Sequence, residues 1–480
     1  MASLKSLAKD TAVYGLSSIV GRFLNYLLVP LYTTKISAAS GGYGIVTNVY
    51  AYTALLMVLL TYGMETTFFR FANKEGEDTR RVYGTILTMV ACTSLLFVAV
   101  VIAFIAPISE VMGYADHPEY IWTMAVVVAM DAFQCIPFSY LRYKKRAVKF
   151  ASLKMLFIVL NIALNVFFFV FYPQISGKTT PVGYVFYINL ACTSFIMLCF
   201  YKELLVVRPV LDRGLIRRML PYSLPILILG IAGILNQTAD KILFPYIYKG
   251  ADVHGQLGIY GAASKIAMIM AMITQAFRYA YEPFVFGKYK DKDNRDTYAR
   301  AMKFFVIFTL LAFLCVMGYI NIIRYMIGRD YWEGLQVVPI VMVAEIMMGI
   351  YFNLSFWYKL IDKTIWGAWF SGAGCTVLIA VNVIFVPRYG YIACAWAGVA
   401  GYATAMCLSY FVGQRYYPIA YPMRSMSLYV FVAAIFYVGI HAVNHSVLPL
   451  WLSIGINTIV ILLYLLLIVK KEFKRTPLSA

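Results

Sequence analysis

Fourteen apolar runs divide this chain, each roughly 20 residues long, the length a helix needs to cross about 30 Å of hydrocarbon. They fall near 11–34, 43–66, 82–106, 120–140, 150–172, 182–201, 221–247, 257–284, 303–325, 334–358, 366–386, 391–412, 428–445 and 449–469. The seventh and eighth carry internal charges. The chain is therefore predicted to be an all-α integral membrane protein with about fourteen transmembrane helices. Composition agrees: 13% of residues are charged and 62% are hydrophobic. That charged share is about half the soluble norm. Met1–Asp10 is a short, polar, partly basic lead without the apolar core or small-residue cleavage site of a removable signal.

The net charge of +19 would suit a nucleic-acid partner if it were gathered on one face, but it is scattered over short loops. No nucleic-acid partner is expected. Of 41 Lys and Arg, thirty lie in the N-terminus, the C-terminal tail and alternate loops that share one side, and six lie on the other. Basic loop residues stay cytoplasmic. Both termini are thus expected in the cytoplasm, which requires an even number of spans.

The same bundle is written twice. A shift of 214 puts Gly44 on Gly258, Lys74 on Lys288, Arg81 on Arg295, Asp116 on Asp330, Asp131 on Glu345 and Lys149 on Lys363. With small indels, Pro30 falls on Pro245 and Asn165 on Asn382. Charged positions that keep one register are a stronger sign of a repeat than matched apolar helices. The expected division is an N-lobe at 1–206 with helices 1–6, a C-lobe at 207–418 with helices 7–12, and an appended pair, helices 13–14, with the tail at 419–480. Because six is even, the repeats are parallel, an arrangement found in transporters.

Motifs for chemistry are missing. The eight cysteines lie in apolar spans without a C-x-x-C pair, and the four histidines form no H-E-x-x-H. No metal and no cofactor are expected. The chain lacks G-x-x-x-x-G-K-[ST], so it does not encode an ATP-driven pump. The longest outer loop, near Pro107–Glu119, leaves little room for a glycan polymerase or ligase, and the chain is expected not to be an enzyme.

What remains is charge at membrane depth, which is expensive and usually faces a cavity or a partner. Arg22 lies about halfway along the first span. Asn236 and Asp240 share a helix face, as do Gln237 and Lys241. In the first half, Arg22 falls on Gln237 and Asn25 on Asp240, so one face of the first helix of each lobe is polar. Together with Lys265 and Arg278, these residues form the candidate substrate-binding set. Its basic members suit an anion, above all a phosphate, unless acids such as Asp240 or Glu282 neutralise them. The alternative role for such residues is internal pairing, for example Asp240 with Lys265 or Asp131 with Lys154. Asp131 and Glu345 occupy equivalent mid-span positions and are the candidates for coupling to a proton or sodium gradient, or else two inherited structural hydrogen bonds.

The chain resembles the polysaccharide-transport branch of the MOP flippase superfamily, the Wzx-type O-antigen and capsule flippases. The likeness rests on Lys9-Asp10-Thr11 entering the first span and on Gly63-Met64-Glu65-Thr66-Thr67-Phe68-Phe69-Arg70-Phe71 closing the second. It rests also on Pro387-Arg388-Tyr389-Gly390-Tyr391-Ile392-Ala393-Cys394-Ala395 between the eleventh and twelfth. The resemblance implies a multi-pass protein of the bacterial inner membrane. It implies alternating access and a substrate, polyprenyl-pyrophosphate-linked oligosaccharide, turned from the inner to the outer leaflet. A MATE-type multidrug or organic-cation exporter is the alternative, disfavoured by a basic rather than acidic cavity.

Overall fold

The computed structural model describes residues 26–206, 210–287, 294–361 and 363–472. All regular elements among the described residues are helices. Twelve of them are long and apolar enough to cross a membrane. Tyr184–Cys199 is apolar but shorter and occupies the sixth expected span. Of the first expected span, the part through residue 25 lies outside the described residues, and its end is the helix Leu28–Lys35. Each later expected span falls on a helix. The protein is thus an all-helical, multi-pass membrane protein.

Local chemistry sets where helices stop. Tyr62 and Gly63 take left-handed backbone angles, φ 31° and 74°, and turn the chain between Gly42–Thr61 and Met64–Ala72. Asp78 caps Thr79–Ala103 by accepting a hydrogen bond from the Arg80 N–H at 3.0 Å. Pro118 starts Pro118–Tyr143, where its missing N–H leaves no bond unmade. Pro221, Pro225 and Pro245 lie inside Arg213–Ile247, which continues through them. Pro339 instead sits in the first turn of Val338–Leu354, after the 3-10 stretch Arg329–Val337.

The chain packs as two compact units, 1–246 with 251–258, and 247–250 with 259–480. In the first, Met64, Phe68, Tyr83, Ile86 and Ile136 are fully buried, and Tyr83 stacks on Tyr140 at 4.3 Å. Leu95 and Leu198 stay about 70% exposed, at 70% and 72%, as lipid-facing side chains should, because lipid offers no drive to bury them. Close approach is sharpest where Gly42–Thr61 meets the start of Val253–Gly287. A methyl built on Gly44 would overlap the His254 carbonyl oxygen and come within 3.0 Å of the Gly258 nitrogen. Gly44 and Gly258 are repeat equivalents, so the matching glycines of the two halves meet.

In the second unit, Ile365–Tyr389 and Tyr391–Tyr416 pack backbone to backbone, with a methyl on Gly374 falling 2.7 Å from the Gly401 carbonyl. The last two helices, Met423–Asn444 and Leu450–Glu472, lie against Asn294–Gly318. There the Asn444 amide donates to the Met317 carbonyl and the Asn457 amide to the Gly318 carbonyl, both at 2.9 Å. The repeat is visible in detail. Asn165 and Asn382, both fully buried, each donate to the carbonyl four residues back, at 2.8 and 2.9 Å.

Candidate functional site

Arg22 and Asn25 lie outside the described residues. The other candidates on the seventh span sit on Arg213–Ile247, in the first unit. Asp240 is buried and its carboxylate pairs with the Lys241 ammonium at 2.9 Å. Lys241 Nζ also donates to the Gln237 carbonyl at 3.2 Å. Asn236 is half-buried and donates to the Ala232 carbonyl at 2.8 Å, while Gln237 is exposed. Asp240 and Lys241 therefore cancel locally, and Lys241 adds little net positive charge. One partner of Asp240 is its chain neighbour, which spacing arguments built on helix faces do not reach.

Two groups that the sequence did not single out fasten this segment. The Asn48 amide donates to the Lys241 carbonyl at 2.8 Å, and the Tyr114 hydroxyl donates to the Asn48 side-chain carbonyl at 2.8 Å. Tyr114 also stacks on His254, ring centres 5.6 Å apart. Asn48 is a lone amide in an apolar run, which was the available signal. A cavity of about 430 Å³ opens beside these contacts, lined among others by Ser40, Glu110, Tyr246, Asp252 and His254.

Lys265 and Arg278 sit on Val253–Gly287, in the second unit. Lys265 is half-buried. The Arg278 guanidinium lies 4.8 Å above the Phe352 ring.

Asp131 and Glu345 lie mid-helix and half-buried in equivalent places. Asp131 accepts a hydrogen bond from the Thr193 hydroxyl at 3.3 Å. Lys154 is near enough to act on its charge without a direct ion pair, and its ammonium rests 4.0 Å over Phe138. One turn further along, Glu65 pairs with Arg142 at 2.8 Å and accepts from the Cys135 thiol at 3.2 Å. Asp131, Cys135 and Arg142 lie at helical spacing on one face of Pro118–Tyr143. Glu65 belongs to the motif that closes the second span, and its role as a partner on this face was not legible from that motif. Among the described residues no group of three metal-ligating side chains occurs.

Residues 7–280 match the family described as polysaccharide biosynthesis protein. Against curated protein sequences the chain has no match. Among solved structures it is similar to the lipid II flippase MurJ in an inward closed conformation. That match has a TM-score of 0.73 and 15% identity over 95% of this chain and 99% of the other. It is also similar to an inward-facing multidrug resistance MATE family transporter of the MOP superfamily, with a TM-score of 0.62 and 15% identity over 84% and 94%. A third is a MOP superfamily transporter from Pyrococcus furiosus, with a TM-score of 0.52 and 16% identity over 85% and 95%. At such identities the likeness is one of fold, the MOP flippase fold. The family match spans more than half of the chain, and the chain belongs to the polysaccharide biosynthesis protein family.

Proposed function

We propose that this protein is a flippase that moves a polyprenyl-pyrophosphate-linked oligosaccharide from the inner to the outer leaflet of the bacterial cytoplasmic membrane, for O-antigen or capsule assembly. The observation that carries this reading is the family match over residues 7–280. The fold alone does not choose between glycan and drug, because lipid II flippase and MATE structures share it. Family membership and basic candidates at membrane depth favour the glycan. The protein acts as a transporter rather than an enzyme, by alternating access between lobes 1–206 and 207–418. Arg22, Lys265 and Arg278 counter the pyrophosphate, Lys241 and Asp240 act as a pair, and Asn25, Asn236 and Gln237 offer hydrogen bonds. The polyprenyl tail stays in lipid. Asp131 and Glu345 exchange protons or sodium.

Complementation of flippase-null cells tests the reading, with surface glycan as the readout. The parent gene should restore glycan. Arg22→Ala should lose it with expression intact, and Arg22→Lys should be partly active because the guanidinium fork is lost. The double variant Asp131→Asn, Glu345→Gln keeps hydrogen bonding but removes titration, and should lose its dependence on the ion gradient. Full activity of Arg22→Ala would remove that residue from the site. A double amide that responds to gradient collapse as the parent does would end the coupling role.

Both termini are placed in the cytoplasm on the basic-loop count. Single cysteines at Asp116 and His254 should react with an impermeant thiol reagent from outside, and one at Lys144 should not. External labelling at 144 would overturn the orientation.

A further inference from the structure

Two cations that the repeat makes equivalent are treated oppositely in the two halves. In the first, Arg81 pairs with Asp212 at 2.6 Å, and Lys149 pairs with Glu203 at 2.6 Å. Glu203 is only 2% exposed. The Leu215 N–H, then Arg81, hold the Asp212 carboxyl below the ordinary carboxylate range, so that pair stays ionised. In the second half the equivalents are Arg295 and Lys363. Neither pairs with a carboxylate among the described residues. The Arg295 guanidinium instead lies 4.6 Å over the Tyr417 ring, and the Lys363 ammonium 4.5 Å over Tyr416.

The difference matters for binding. An acid cancels a cation's charge and occupies its donors. An aromatic face attracts a cation through its quadrupole but leaves the charge uncancelled and the remaining N–H groups free to point outward. Consecutive tyrosines thus each seat a cation that pairs with no carboxylate among the described residues. The platform is rigid: Tyr416 lies parallel to the buried Trp357, centres 5.9 Å apart, and 5.8 Å from Trp366. Tyr416 itself is 46% exposed, and Arg295 and Lys363 are exposed. Both cations belong to loops expected on the cytoplasmic side, where aromatic rings with basic groups mark the lipid headgroup level.

We infer that Arg295 and Lys363, seated on Tyr417 and Tyr416, form a pyrophosphate-binding platform at the cytoplasmic end of the second unit, which takes the headgroup of the polyprenyl-linked substrate before it enters the membrane-depth site. Two cations seated on consecutive tyrosines suit the two phosphates of a pyrophosphate, whereas a bulk phospholipid offers one. This inference rests on the flippase reading and adds an initial docking site to it.

The test is binding of a polyprenyl pyrophosphate to the full-length protein in phosphatidylcholine nanodiscs, read by tryptophan fluorescence. Arg295→Gln with Lys363→Gln should weaken binding at least tenfold, and Arg295→Lys with Lys363→Arg should stay within about threefold of the parent, because charge and ring seat persist. Should the double variant aggregate, Lys363→Gln alone, at an exposed position, should still weaken binding measurably. Equal affinity of the parent and the glutamine variants would overturn the platform and leave the flippase reading standing. A parent that binds no polyprenyl pyrophosphate would overturn both. Displacement of the polyprenyl pyrophosphate by phosphatidylglycerol added to the nanodiscs, lost in the glutamine variant, would assign the site to bulk anionic lipid and overturn the substrate assignment.

Discussion

Gly44→Val is expected to reduce glycan export at least tenfold without abolishing membrane insertion. Even the first carbon of the new side chain would overlap the His254 carbonyl oxygen and crowd the Gly258 nitrogen. Both neighbours are backbone, so no rotamer change relieves the clash, and the helices must separate. Overpacking of this kind costs about 2 kcal/mol, a shift of roughly thirtyfold in the population of the conformation that contains the contact. The ties beside it, Asn48 to the Lys241 carbonyl and Tyr52 to Tyr246, both at 2.8 Å, would loosen together. Ala51, buried on the same helix, should become reactive from outside as cysteine in the Gly44→Val background. Gly439→Ala is the control, since nothing lies within 4 Å of its added carbon. Normal export and an unreactive position 51 in Gly44→Val would show that the contact is not part of the transport cycle.

The second large effect is on stability. Glu203 is buried, accepts two hydrogen bonds from Lys149 at 2.6 and 2.7 Å, and lies 3.7 Å from Arg146. Glu203→Leu removes the acid and leaves Lys149 without its partner. Breaking a buried pair typically costs 3–5 kcal/mol, and Lys149 reaches water in part, so about 2 kcal/mol is expected here. For a chain of this size that lowers the melting temperature by roughly 2 °C. Adding Lys149→Met should recover most of the loss, because an apolar pair of similar volume replaces the ions. A double variant no more stable than Glu203→Leu alone would show that the pair's coupling is not the source of the effect.

What was legible from sequence is what the bilayer imposes. Helix length and apolarity follow from membrane thickness, so the spans from 43–66 onward each coincide with a helix. The repeat was legible because polar residues at membrane depth are few, and Asn165 and Asn382 do make the same bond. Side-chain partnerships were not legible. Asp240 pairs with Lys241, one residue away, and Glu65 reaches Arg142 and Cys135 across the bundle. Such choices depend on packing between helices that have no fixed sequence spacing. The opposite treatment of Lys149 and Lys363 was hidden for the same reason.

The central claim is that this chain alone turns a lipid-linked oligosaccharide across a bilayer. It is tested most directly in proteoliposomes carrying polyprenyl-pyrophosphate-linked oligosaccharide in both leaflets, with an impermeant glycosidase added outside. With the protein present, cleavage should pass beyond the outer-leaflet half and approach completion, and Arg22→Ala should hold it near half. Cleavage that stops at half with the parent protein, across imposed proton and sodium gradients of either sign, would contradict the account.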